Sequence, residues 1–358
     1  MASGGVQASQ IADLMTFTLS QYKRDKFTDL MSPYQKTVAF KRIYRQKKTK
    51  NEDGDGTSIT FNLVTDTNGS FRFVGLGFTA SLTPNGNALQ GNIPWRGWTY
   101  NWWVDGAEPS MNKGPAQIVD IMKTRYFQAV GDMIKGVERA LWRVPSSTSD
   151  NVLGIPYYVV KSATAATYAN NDGFNGDVPS GYTTVANISP TSYPRWKNYS
   201  DAYTVISKDD LVRKLRRAAE KTDFMPLVDD EPIYDTGMDY GWYTNYPVYS
   251  GLVEVAESQN DDLGPDVASM DGGKVMFRRA KLDWLPALED DTTGPIYGID
   301  WSQMYAARLN SWWEKEIKVP LNPQQPTVAS THFVTRTNLI CTDRRKQCVL
   351  STGTTMPA

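Results

Sequence analysis

Several clusters in this chain have the residue types and spacing that chemistry uses. FVGLGFTA (73–80) sets Gly75, Gly77 and Ala80 at the spacing of a dinucleotide-binding turn. Such a turn works only when a helix N-terminus follows to hold the pyrophosphate; SLTPNGN follows here, and Pro84 ends any helix. Asn51, Asp53, Asp55 and Gly56 imitate the opening of a calcium loop. The twelfth position is Asn62, where a bidentate glutamate is needed, and a strand pattern stands where the exiting helix belongs. His332 is the only histidine, which excludes zinc sites built on several imidazoles and two-histidine relays. No Gly-x-Ser-x-Gly elbow is present to partner it. Cys341 and Cys348 are the only cysteines, so there is neither a disulfide framework nor a second pair to complete a metal site. The acidic pairs Asp229-Asp230 and Asp290-Asp291 lie in turn-like segments, and adjacency alone builds no cleft. The expectation is a protein with no catalytic residue, no metal and no cofactor.

One cluster resists that dismissal. WRGWTYNWW (95–103) carries four tryptophans and a tyrosine. Read as a strand, Trp98, Tyr100 and Trp102 share one face, and Trp103 lies on the other with Thr99 and Asn101. Rings of ~150–250 Å² each would exceed the few hundred Å² of apolar surface a monomer leaves exposed. Something must cover them: the same chain, another subunit, or a sugar.

The elements around these residues follow from pattern and punctuation. The chain has 358 residues, 40% apolar and 22% charged, enough for about two domains of ~150 residues. No stretch approaches the ~18 consecutive apolar residues of a membrane span. The opening MASGGVQASQIADLM shows neither the basic nor the apolar region of a secretory signal. Sequons at Asn68, Asn187 and Asn198 matter only in a secreted protein. Net charge is −1, but residues 1–50 hold ten Lys/Arg against three Asp/Glu, most of them in KRIYRQKKTK (41–50). Such a block suits either a solvated arm with an acidic neighbour or contact with nucleic acid.

SITFNLV (58–64) alternates, and the Asn68-Gly69 pair in the TDTNGS turn that follows suits a tight hairpin returning through FRFVGLGFTASL (71–82). A ribbon this thin is marginal alone and needs a surface to lie on. Residues 115–144 place Ile118, Met122, Tyr126, Val130, Ile134, Val137 and Leu141 at unbroken helical spacing, between Pro115 and Pro145. That predicts a long spine helix, with Gly131 and Gly136 permitting a bend. Ser207 with Asp210 is an acidic capping box ahead of LVRKLRRAAEKT. A helix is predicted over 300–317, and strands over 155–160, 274–285 and 331–342. Irregular order of helices and strands predicts an α+β fold.

Together these stretches resemble a tailed-bacteriophage major capsid protein with the HK97-like fold. The likeness is carried by PSMNKGPAQI (109–118), residues 193–224, YTNYPVYSGLVEVAESQNDDLG (243–264), PIYGIDW (295–301) and NLICTDRRKQCVL (338–350). The resemblance implies an N-terminal arm (1–50), an extended β-hairpin loop (51–105), a peripheral domain with the spine helix (106–150 and 326–358) and an axial domain (151–325). It implies a virion shell assembled in the host bacterial cytoplasm from pentamers and hexamers of one chain. It also implies a portal and non-specific contact with packaged DNA, with no membrane partner; whether a decoration protein joins them is left open. Subunit contacts are expected at Asn68, Gly69, Phe71 and Phe73 in the hairpin and at Arg45, Lys47, Lys48 and Lys50 in the arm. Trp98, Trp102 and Trp103 are expected to anchor the hairpin's base to the spine. Some members weld neighbouring subunits through a lysine on the loop; no lysine lies between Gly56 and Pro94, so no such link is expected. An arm of 50 residues cannot supply the scaffolding region of about a hundred that some members carry, so a separate scaffolding protein is expected. An encapsulin-like compartment and a carbohydrate-binding adhesive protein are the alternatives.

Overall fold

The structure, a computed structural model, describes residues 36–45, 49–51, 56–65, 71, 73–76, 88–107, 115–169, 171–223, 239–257, 276–277, 280–319 and 327–353. A helical stretch over 38–45 comes first, and it buries Ala39, Phe40 and Ile43. Strand β1 (Thr49–Asn51) follows. β2 (Ser58–Val64) and β3 (Ala88–Pro94) then pair antiparallel, with Ile59 opposite Ile93, Phe61 opposite Gly91 and Leu63 opposite Leu89.

The return strand of this ribbon is thus 88–94 rather than the 71–82 predicted. Phe71 and residues 73–76 form no strand, and Asn68 and Gly69 lie outside the described residues. The physical reason is a match of faces: Leu89 and Ile93 repeat the period of Ile59 and Leu63, with Gly91 between them. Any side chain at Gly91 would collide with the Phe61 ring.

β4 (Arg96–Asp105) carries the aromatic run, and α1 (Pro115–Leu141) is the spine. At 27 residues α1 is about 40 Å long. Beyond it, IPYYVV does not make the predicted strand: Ile155–Tyr158 close one helical turn with Pro156 in its first positions, where the missing N–H costs nothing. β5 (Tyr199–Ala202) leads to the capped helix, where the Ser207 hydroxyl accepts the Asp210 N–H and a wide turn, Lys208–Val212, runs into α2 (Arg213–Lys221). After β6 (Tyr240–Thr244) and α3 (Tyr246–Glu257) come β7 (Met276–Phe277), β8 (Ala280–Trp284), β9 (Ile296–Asp300), β10 (Met304–Arg308), β11 (Lys315–Val319), β12 (Val328–Cys341) and β13 (Cys348–Ser351).

The helix predicted over 300–317 does not form. Its residues end β9 and make β10 and β11, joined by single turns at Trp301–Gln303 and Asn310–Trp312. Aromatic residues at helical intervals misled the pattern; pairing of β10 and β11 with the long β12 overrides it.

Two sheets organise the body. One runs β5-β13-β9-β6-β8-β7; the other runs β1-β10-β12-β11, with β4 on the opposite side of β12 from β11. The chain passes between the sheets at β9–β10 and again at β12–β13. One apolar cluster joins Leu141 and Trp142 to Ile155, Tyr297, Ala306 and Leu339, and a second gathers Tyr199, Leu211, Leu215, Trp242, Leu282 and Leu350. β10 and β11, which fall within 151–325, pair with β12, and β1 from the arm pairs parallel with β10.

Candidate assembly surfaces

The two ends of the ribbon differ sharply in burial. At its base Ile59 and Ile93 are buried with Phe61 in the larger apolar cluster. The Phe61 and Trp196 rings lie 6.3 Å apart, and the Asn92 N–H donates to the Ala186 carbonyl at 2.9 Å. Beyond β2 the picture reverses. Phe71, Phe73 and Leu76 are 82%, 93% and 109% exposed, Val64 and Val74 are also exposed, and the Phe71 and Phe73 rings touch only edge to face at 5.2 Å. Apolar side chains this bare, gathered in one connection, mark a candidate contact surface.

Residues 36–45 are held by side chains of the spine and of both sheets. The Glu138 carboxylate of α1 accepts the Ala39 N–H at 3.2 Å and the Phe40 N–H at 2.7 Å, and it takes the Trp142 indole N–H at 3.0 Å. Burial pushes the Glu138 carboxyl up, against the downward pull of those three donors. Arg42 grips Asp239 through both carboxylate oxygens, at 3.0 and 2.7 Å. Lys36 reaches Asp283 at 3.4 Å and lies 5.1 Å from the Trp284 ring. Residues 36–45 therefore clasp the spine to both sheets, since Tyr44 also packs edge-on against Trp98. Arg45 ends this helical stretch and Lys50 pairs with Ala307 in β1; Lys47 and Lys48 lie outside the described residues.

Along β4, Trp98, Tyr100 and Trp102 stand opposite Thr335, Phe333 and Thr331 of β12. The Tyr100 and Phe333 rings stack at 5.0 Å, and Tyr126 of α1 meets Phe333 edge-on at 6.1 Å. Arg125 of α1 places its guanidinium 5.1 Å from the Trp103 ring and donates to the Trp103 carbonyl at 2.8 Å. Trp98 lines a groove of about 420 Å³ with Tyr100, Met133, Gly136 and Val137, between β4 and the spine. Trp102 is half-buried. Tyr126, for all its contact with Phe333, and its neighbour Phe127 are exposed.

The glycine, acidic, histidine and cysteine clusters with spacing suited to chemistry are scattered. Gly75 belongs to the bare connection, while Gly77, Ala80, Asp53 and Asp55 lie outside the described residues. His332 sits in β12 between Asn101 and Ile317. Both cysteines are buried thiols; burial pushes Cys348 up to about 12 and Cys341 higher still, so neither is a thiolate at neutral pH. Among the described residues no group of three or more His, Cys, Asp or Glu could hold a metal ion.

Sequence reading missed Glu138 and Arg344. A signal existed for Glu138: it falls on the stripe of Ile134, Val137 and Leu141, where an acid is out of place unless it has partners. Nothing in NLICTDRRKQCVL separates buried Arg344 from its partly exposed neighbour Arg345.

No family model matches the chain, and no curated protein matches it either. Solved structures do. The capsid asymmetric unit of cyanophage A-1(L) aligns with a TM-score of 0.59 at 11% identity, over 94% of this chain and 98% of that one. The capsid of Myoviridae phage XM1 aligns at 0.53 and 14% identity, over 98% and 99%. The capsid of the native GTA particle aligns at 0.53 and 11% identity, over 92% and 95%. At such identities the likeness is one of fold, and it extends over nearly the whole of each chain: this protein has the α+β, HK97-like fold of phage capsid subunits.

Proposed function

We infer that the chain is a major capsid protein, a non-enzymatic subunit that closes with copies of itself into the icosahedral head shell around a phage genome. The observation that carries this reading is the ribbon buried at Ile59 and Ile93, whose connection is bare at Phe71, Phe73 and Leu76. A loop so built is anchored in its own subunit at its base and offers its bare connection to another, which suits heterologous contacts that close around rotation axes. Each contact can be weak, because many act together. The shared fold with three phage or GTA capsid chains supports the same reading.

In this reading 1–50 is the arm, 51–105 the extended loop, 106–150 with 326–358 the peripheral domain and 151–325 the axial domain. Pentamers and hexamers meet through Asn68, Gly69, Phe71 and Phe73 and through the basic residues Arg45, Lys47, Lys48 and Lys50. A separate scaffolding protein sets the size of the shell, a portal occupies one vertex, and packaged DNA touches the inner surface without sequence preference. Assembly takes place in the host bacterial cytoplasm, and the finished protein resides in the virion.

Electron microscopy of the native particle tests the proposal. Closed icosahedral shells built from this chain and holding DNA are expected; a monomer that binds glycans or turns over a substrate overturns it. Expressing the chain alone tests the scaffold, since correctly sized closed shells from it alone would remove the need for one.

A further inference from the structure

Lys161 and Asp291 form a buried ion pair, with side chains 0% and 3% exposed. Lys161 follows the helical turn at Ile155–Tyr158, and Asp291 precedes β9. The Lys161 ammonium donates to Asp291 Oδ2 and, at 2.7 Å, to the Thr293 hydroxyl. That hydroxyl donates in turn to Asp291 Oδ1 at 2.6 Å, and the Thr293 N–H reaches the same oxygen at 3.1 Å. Amine, hydroxyl and carboxylate therefore form a closed relay around one carboxyl carbon. Tyr203 and Tyr297, both buried, lie close enough for the Asp291 charge to push their hydroxyls up, though burial is the larger cause.

A dry site disfavours two charges more than it disfavours the neutral amine and acid, and burial pulls Lys161 down against the opposing pull of Asp291. It also holds the amine against the carboxylate at an effective concentration that no free pair reaches.

We propose that Lys161 and Asp291 condense to an isopeptide bond within the single chain. An ammonium proton passes to Asp291 Oδ2, leaving a free amine and a carboxylic acid. The amine lone pair attacks Asp291 Cγ, and the charge that develops on Oδ1 is held by the Thr293 N–H and O–H, which already point at it. A second nitrogen proton moves to Oδ2, the Cγ–Oδ2 bond breaks, and water leaves. Ammonium plus carboxylate becomes one amide plus one water, so no oxidant, cofactor or second protein is needed. The bond ties together residues 130 positions apart in one subunit, where neither partner is free to meet a neighbouring copy.

Intact-mass spectrometry of the denatured full chain reads the result directly. The expected mass lies one water, about 18 Da, below that of the sequence. A tryptic map is expected to contain a branched peptide joining Lys161 to Asp291. Lys161→Met and Asp291→Ala are expected to restore the full mass of their own sequences, and Thr293→Val to yield a mixture of joined and open chains. The branched peptide itself names the two joined residues, so the wild-type reading stands even where a variant fails to fold. A wild-type chain at full mass means an ion pair only and overturns the proposal, as does a water deficit that survives in Lys161→Met.

Discussion

Glu138 and Phe40, 98 residues apart in sequence, are joined by a 2.7 Å hydrogen bond from a backbone N–H to a buried carboxylate. The spine helix thereby caps the helical stretch of the arm with one of its own side chains, since Ala39 donates to the same group. Removing the carboxylate in Glu138→Ala strands three N–H donors and is expected to cost about 2–4 kcal/mol, with protection lost at the Ala39 and Phe40 amides in hydrogen exchange. The pH dependence follows from burial, which raises the folded-state value above the unfolded one. A raised value gives a contribution that is complete below the ordinary carboxylate range and is lost as pH climbs through the raised value. Arm protection in the wild type should therefore grow on mild acidification, and in Glu138→Gln it should not. Equal pH responses in the two proteins would refute this.

Opposite ends of one ribbon should respond in opposite ways. Ile59→Ala removes a fully buried side chain from the base and is expected to cost about 2–4 kcal/mol in the isolated subunit. Phe73→Ser, at a position 93% exposed, should change subunit stability by no more than about 0.5 kcal/mol while abolishing closed shells. Thermal melts of the subunit, paired with sedimentation of the assembly products, separate the two effects. A Phe73→Ser chain that still builds shells would remove the ribbon's far end from the assembly mechanism.

What could be read from the chain beforehand divides along a physical line. α1 announced itself because Ile134, Val137 and Leu141 repeat locally between two prolines, and the Ser207 cap because its partner lies three residues away. The return strand of the ribbon did not: its identity rests on a face match between Ile59 and Ile93, across a long connection that no local pattern spans. Trp301, Tyr305 and Trp312 imitated a helix because spacing cannot reveal that β12 waits to pair with them. At the candidate surface the sequence shows the apolar types of Phe71 and Phe73, but not that they stand exposed. That the same ribbon is sealed at Phe61 depends on Trp196, from a distant part of the chain.

Asp210 should show the reverse pH sign to Glu138. Its Oδ2 accepts the Thr204 and Val205 N–H groups at 2.8 and 3.0 Å, and its Oδ1 meets the Lys214 ammonium at 2.5 Å. Against some burial, Lys214 and these donors hold its carboxyl well below the usual range. A depressed value gives stability that is present above the unfolded pKa and lost as pH falls through the folded one. Asp210→Asn should cost about 1–2 kcal/mol at neutral pH, and the difference should shrink as pH drops below about 4. Denaturant melts of both proteins across that range decide it, and a gap that widens in acid would contradict the assignment.

Arg344 and Arg345 are neighbours in sequence with opposite surroundings, and that contrast makes the sharpest test of what ties the segments around Tyr158, Asp177 and Trp196 together. Arg344 is fully buried between β12 and β13, where it donates to the carbonyls of Tyr158, Trp196 and Asp177 at 2.7, 2.6 and 2.9 Å and to Asn198 Oδ1 at 3.1 Å. Burial pulls it down to about 10, yet it remains charged at neutral pH, and no carboxylate oxygen is among these acceptors. Its work is to satisfy carbonyls from three separate segments at once, a task that needs a planar fork of five donors. A lysine keeps the charge but has three donors on one atom and cannot reach these directions together. Arg344→Lys should therefore cost about 2–4 kcal/mol, because it leaves buried carbonyls unpaired. Arg345 is partly exposed and bonds Asp343, two residues away, at 2.9 and 3.1 Å. Arg345→Lys should stay within about 0.5 kcal/mol of the wild type. Equal losses at the two positions, measured by chemical denaturation of the subunit, would show that the buried fork is not what ties these segments together.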